Sequence, residues 1–108
     1  MINNSKVKTR HFTRIHLELE KAEKKHPKFC DCLTYRNLEG IKDALDYLRE
    51  RNSESITYAD SILGEEILEA FEAYKQGEKE HCLQELAQCG AVILRMMQFV
   101  HDEMEAGK

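Results

Sequence analysis

The sequence predicts an all-α fold of four helices, in a single domain spanning residues 1–108. Three observations lead there. Apolar residues recur at spacings of three and four through four segments, the mark of a helix with one buried face. No stretch alternates apolar and polar residues as a half-buried strand would. Helix breakers are scarce, with one Pro and five Gly in 108 residues. A chain this long fits one domain, and at this size oligomerisation commonly adds stability.

The first helix is expected over residues 9–25. Phe12, Ile15, Leu19 and Ala22 repeat at helical spacing, and Pro27 ends the pattern. Residues 28–36 show no period and read as a connection. The second helix is expected over 37–51, where Leu38, Ile41, Leu45 and Leu48 form a 3-4-3 stripe. Gly40 weakens its first turn. Residues 52–55 are a polar break.

The third helix is expected over 57–76. Thr57 with Asp60 three residues on resembles a capping arrangement, and Gly77 suits the position after a helix end. The fourth is expected over 78–105. Its main stripe is Leu83, Leu86, Gly90, Ile93, Met97, Val100 and Met104, and Cys89, Val92, Met96 and Phe99 make a second apolar face. A helix apolar on two sides is either central or at a subunit interface.

The net charge of −4 gives no reason to expect polymeric nucleic acid as a partner. Charge is uneven, however. The first 28 residues hold eight Lys/Arg against three Glu, and the remainder holds eight Lys/Arg against seventeen Asp/Glu. The basic segment reads as a solvated helix face. No apolar run is long enough for a membrane span, and no signal-peptide pattern is present. A cytoplasmic location with reduced thiols is therefore expected.

The third and fourth helices carry the candidate chemistry. At about 100° per residue, Ala59, Ile62, Leu63, Ile67, Ala70, Phe71 and Tyr74 form one apolar arc. Glu66 projects inside that arc and Glu69 lies at its edge, whereas Glu65 and Glu72 point away. A carboxylate facing a core requires pairing, hydration or a cation. On the fourth helix, Glu85 and Gln88 lie on or beside the second apolar face.

Folding the two helices about Gly77 brings these residues level. Glu69 and Glu85 each lie eight residues from Gly77, and Glu66 and Gln88 each lie eleven away. At the helical rise, that is roughly 12 and 16 Å from the turn. The i,i+3 spacing within each pair keeps both side chains on one face. Three carboxylates and an amide then converge, and a hard cation relieves their repulsion. Mg²⁺ suits an oxygen-only site, with Mn²⁺ as the alternative.

Other constellations compete. Cys30, Cys32, Cys82 and Cys89 with His26 or His81 offer zinc ligands, but C-x-C is tighter than common zinc spacings. His11, His16 and His26 with Arg10, Arg14 and Lys21 are candidates for an anionic tail, and His16 equally suits packing at the edge of the first stripe. Arg95 is the only Lys or Arg between Glu80 and Asp102. It is a candidate for a phosphate contact or a salt bridge. Phosphate loops, nucleophile elbows and HExxH motifs are absent.

The stretch Gly64-Glu65-Glu66-Ile67-Leu68-Glu69-Ala70, followed by Gln84-Glu85-Leu86-Ala87-Gln88, resembles the MazG-like all-α nucleoside triphosphate pyrophosphohydrolases. That superfamily carries an ExxE helix and, after a short gap, an ExxD helix. Glu66 and Glu69 match the first motif, and fifteen residues separate Glu69 from Glu85. The resemblance covers about residues 57–100, and the first helix is loosely compatible with the family's opening helix. Gln88 stands where the family has Asp. It keeps a carbonyl oxygen but removes a negative charge, which lowers the expected metal affinity.

The resemblance implies a four-helix MazG-like bundle. It also implies a Mg²⁺-dependent hydrolase that cleaves an NTP or dNTP to a monophosphate and pyrophosphate. Glu66, Glu69 and Glu85 would be catalytic and would hold the metal, with Gln88 a weak ligand or an outer partner. His16 and Arg95 are the candidate substrate contacts. A homodimer or homotetramer is expected. Two alternatives stand beside this reading: a non-catalytic helical oligomer with a vestigial metal site, and a zinc-binding module.

Overall fold

The computed structural model describes residues 4–107. It contains four helices and, among the described residues, no strand: α1 (Asn4–Lys25), α2 (Leu38–Asn52), α3 (Ala59–Lys75) and α4 (Lys79–Glu105). The all-α, four-helix expectation holds. Among the described residues, no helix is long and apolar enough to cross a membrane. The chain forms two compact units. One comprises Met1–Asp31 with Leu94–Lys108, and the other comprises Cys32–Ile93.

The Cys32–Ile93 unit holds α2, α3 and the first half of α4. Asn37 is the N-cap of α2, not its first helical residue, and its Oδ1 accepts a hydrogen bond from the Gly40 N–H at 2.7 Å. The α2 stripe does what its spacing predicts. Ile41 and Leu45 are fully buried against Leu68, with Ala44, Leu48, Ile67 and Phe71 packed around them. Gly64 admits Leu48 here, because a Cβ at Gly64 would lie 3.1 Å from Leu48 Cδ1. Polar contacts lock the same two helices. Asn52 Nδ2 donates to the Ser61 carbonyl at 3.1 Å and to Glu65 Oε1 at 2.9 Å.

The start of α3 differs from the sequence reading. Tyr58 is the N-cap, with no side-chain hydrogen bond, and Asp60 Oδ1 accepts from its neighbour Ser61 N. Thr57 therefore lies outside the helix. The end of α3 agrees with it. Gly77 has φ +79°, Gly77 N donates to the Tyr74 carbonyl, and Glu78 N donates to the Ala73 carbonyl. This is a Schellman ending, whose left-handed residue glycine adopts without strain. It turns the chain directly into α4. Ala70, Ala73 and Cys82 form the buried contact between α3 and α4, joined by Leu33 and Leu86.

The other unit departs more from expectation. Helix α1 begins at Asn4, five residues before the expected start. No breaker precedes Thr9, and Val7 supplies a buried residue that extends the helix. Val7 and His11 are its buried positions, whereas residues 12–25 are exposed throughout. The Phe12, Ile15, Leu19 and Ala22 stripe thus faces solvent in the single chain. On α4, Leu83, Val100 and Met104 of the main stripe are also exposed. Cys82, Glu85 and Cys89 are the buried positions of α4, Leu86 of the main stripe packs beside them, and Phe99 of the second face is exposed, so neither apolar face is buried along its whole length.

Candidate metal centre

The four residues flanking the Gly77 turn come together. Each of Glu66, Glu69 and Glu85 offers a carboxylate oxygen, and these three atoms lie within 4.8 Å of one another. The cause is local. The turn sets α3 and α4 side by side, and the small residues Ala70 and Ala73 let them approach closely. Glu85 is buried, and Glu66 and Glu69 are half-buried. Among the described residues, no other three His, Cys, Asp or Glu side chains group in this way.

Gln88 completes the cluster by bridging it. With the amide oriented to suit its surroundings, Nε2 donates to Glu66 Oε2 at 2.8 Å and to Glu85 Oε2 at 3.1 Å. The amide thereby links a carboxylate of α3 to one of α4. His81 supports Glu85 from one turn earlier. Its Nε2 lies 3.0 Å from Glu85 Oε1, and its Nδ1 lies 3.2 Å from Glu78 Oε2. In the sequence, His81 stands only among the zinc candidates. Its i,i+4 spacing from Glu85 is the signal that identifies this contact.

The electrostatics follow from crowding. Burial, and then the charge of Glu85, raise the Glu69 carboxyl from an ordinary 4.5 to about 7. Arg49 offsets this only in part. Glu66 is raised for the same first two reasons, and a hydrogen bond to Glu85 adds to the shift. Burial, reinforced by Glu66 and Glu85, also pushes the Cys89 thiol up. Hydrogen bonds to Glu78 and Glu85 raise His81.

The donor set fits a hard divalent ion. Oxygens held about 2.0–2.1 Å from a six-coordinate Mg²⁺ lie roughly 2.9 Å apart when adjacent and about 4.2 Å apart when opposite. Three oxygens within 4.8 Å of one another are close to that spacing. The alternative zinc set does not assemble. Cys30 and Cys32 are exposed free thiols, and Cys82 and Cys89 are buried ones. None belongs to a group of three such side chains among the described residues. A Cys89 thiol pushed upward is also a poor source of thiolate.

Other sequence-derived positions fall as follows. Glu65 does not simply point away from the fold, since it faces α2, accepting from Asn52 and lying 3.8 Å from Arg49 Nε. Tyr74, placed in the apolar arc, is 39% exposed, while Leu68, outside that arc, is buried. The reason is that α3 packs on α2 and α4 together, so no single arc describes it. His16 is exposed and engages Glu20 at 2.9 Å. Arg95 is exposed, with no ion pair among the described residues. Both belong to the unit that lacks the carboxylate cluster.

The raised carboxyls set a pH dependence. A carboxyl whose folded-state pKa is raised contributes stability that is fully present below its unfolded value and lost as pH rises through the folded value. For Glu69 that window runs from 4.5 to about 7. Glu66 and His81 are also raised, so their contributions act in the same direction. In chelator, the melting temperature is expected to fall between about pH 5 and pH 8. Mg²⁺ is expected to restore it at the upper end only, because binding needs ionised carboxylates. A metal-free melting temperature that rises over this interval would contradict the arrangement.

Comparison of the chain with family models, with curated proteins and with solved structures gives no match, so the site is read from its own residues.

Proposed function

We propose that the chain is a Mg²⁺-dependent nucleoside triphosphate pyrophosphohydrolase of the MazG-like type. The observation that carries this reading is the convergence of Glu66, Glu69 and Glu85 across the α3–α4 turn. Its motif support is the ExxE and ExxQ spacing. Bound Mg²⁺, or Mn²⁺ in its place, would neutralise phosphate charge and orient an attacking water. Glu66, Glu69 and Glu85 would hold the ion. The water oxygen bonds to the α-phosphorus, the bond to the bridging oxygen breaks, and pyrophosphate leaves. One of these three carboxylates would instead orient the water and take its proton. Arg95 is more available to a phosphate than His16, which Glu20 engages.

A second reading is a non-catalytic helical oligomer, and one observation favours it. The Gln88 amide ties Glu66 to Glu85 without any cation. Both readings call for a homodimer or homotetramer. Phe12, Ile15 and Leu19 on α1 and Leu83, Val100 and Met104 on α4 are exposed apolar side chains that a second copy would cover.

The separating experiment is a pyrophosphate-release screen across NTPs and dNTPs with Mg²⁺. Release by the native chain, lost in Glu66→Ala, is the expected result. No release from any nucleotide would leave only the oligomer reading. Equal release by the variant would remove the carboxylates from the site.

A further inference from the structure

A second cluster lies in the Met1–Asp31 and Leu94–Lys108 unit, and nothing above assigns it a role. His11 on α1 is only 7% exposed, and its Nε2 has no hydrogen-bond partner among the described residues. A buried imidazole nitrogen without a partner is costly, and native structures seldom tolerate one. His101 on α4 sits beside it, with the ring centroids 6.0 Å apart and the planes at 77°. Gln98, one turn before His101, presents a second orphan. Its Oε1 is buried and unpartnered among the described residues, while its Nε2 donates to Asp102 at 2.8 Å. Glu105 Oε1 approaches His101 Nε2 at 3.7 Å and brings a negative charge to the same end.

From this cluster we infer a binding site for a late first-row divalent cation of the Zn²⁺ or Co²⁺ type, with His11 and His101 as nitrogen ligands and Gln98 Oε1 as an oxygen ligand. The chemistry differs from that of the carboxylate centre. Two neutral imidazoles suit borderline ions and give little affinity for Mg²⁺. The spacing is suitable as well. With metal–nitrogen bonds of about 2.0–2.1 Å, two imidazole centroids on one ion lie roughly 5.2 Å apart at the tetrahedral angle and about 6.4 Å apart in line. The observed 6.0 Å falls inside that interval. The ion satisfies both orphan atoms at once, and Glu105 offsets its charge. Bridging α1 to α4, it fastens a unit whose only buried α1 side chains are Val7 and His11 among the described residues.

The test is a Co²⁺ titration of tag-free chain in the Glu66→Gln background, followed by visible absorption. That background removes one of the three clustered carboxylates, and the response to His101→Asn, not hydrolysis, is the readout. The expected result is a saturable absorption band that Zn²⁺ displaces and Mg²⁺ does not. His101→Asn, at a position partly open to solvent, is expected to weaken Co²⁺ binding by about a hundredfold, at least the loss typical of an outer-shell change. His11→Asn should do the same, and circular dichroism shows whether it folds. Absence of the band, or a band unchanged in folded His101→Asn, overturns the inference. Either result would mean that water alone meets the two orphan atoms.

Discussion

If the carboxylate cluster holds Mg²⁺ as proposed, Glu85→Gln is expected to abolish most of the stabilisation that Mg²⁺ gives. Glu85 is the buried member of the carboxylate cluster, and its oxygens meet both His81 and Gln88. It is also the largest charge contribution raising Glu66 and Glu69, after burial itself. The substitution keeps the shape of the side chain and removes its charge. If Mg²⁺ affinity falls about a hundredfold, a concentration that gave about 2.7 kcal/mol of stabilisation gives only about 0.4 kcal/mol. Thermal melts with and without Mg²⁺ would show the shift collapse. In chelator the variant should be no less stable at neutral pH, because a crowded negative charge is gone. An undiminished Mg²⁺ shift would place the ion elsewhere. The converse change is Gln88→Asp, which adds a fourth carboxylate and removes the amide that joins Glu66 to Glu85. It should lower metal-free stability and tighten Mg²⁺ binding in the same protein. Unchanged Mg²⁺ affinity would mean that Gln88 is no ligand.

Leu45→Ala is expected to cost as much stability as any single truncation on α2, where Leu45 and Ile41 are the two fully buried large side chains. Leu45 is fully buried, and it meets Ile41 and Leu68 at the centre of the α2–α3 contact. Removing a buried leucine side chain costs about 2–5 kcal/mol, by lost transfer free energy and by the cavity left behind. At roughly 4–8 °C per kcal/mol for a domain of this size, the melting temperature should drop by about 8 °C or more. The neighbours Leu48 and Phe71 are only partly buried and can relax inward, which favours the lower half of that range. Leu17→Ala, at an exposed position on α1, should be nearly neutral in the monomer. Equal losses for the two variants would show that the core lies elsewhere.

Much of this site is legible in the sequence because its causes are local. The spacing of Glu69 and Glu85 about Gly77 fixes their level once the Schellman turn forms, and that turn needs only a glycine at the right place. The role of Gln88 is not legible in the same way. Whether its amide presents oxygen or nitrogen depends on what stands across the helix interface. There it meets two carboxylates, so it donates to them. His81 was similarly obscured, since its i,i+4 relation to Glu85 becomes meaningful only when Glu85 is buried.

Four helices, the second, third and fourth of them placed to within two residues, and the four side chains that flank the turn are legible in the residue pattern alone. Periodicity, breakers and one glycine carry that information without reference to distant contacts. Which apolar face each helix buries depends on contacts between helices. The α4 helix has two such faces, and its sequence does not rank them. The positions buried are Cys82, Glu85 and Cys89. Cys82 packs against Ala70 and Ala73 with Leu86 beside it, while Leu83 is left exposed. The same choice of face makes the carboxylate cluster a site, because it takes Glu85 out of water beside Glu66 and Glu69.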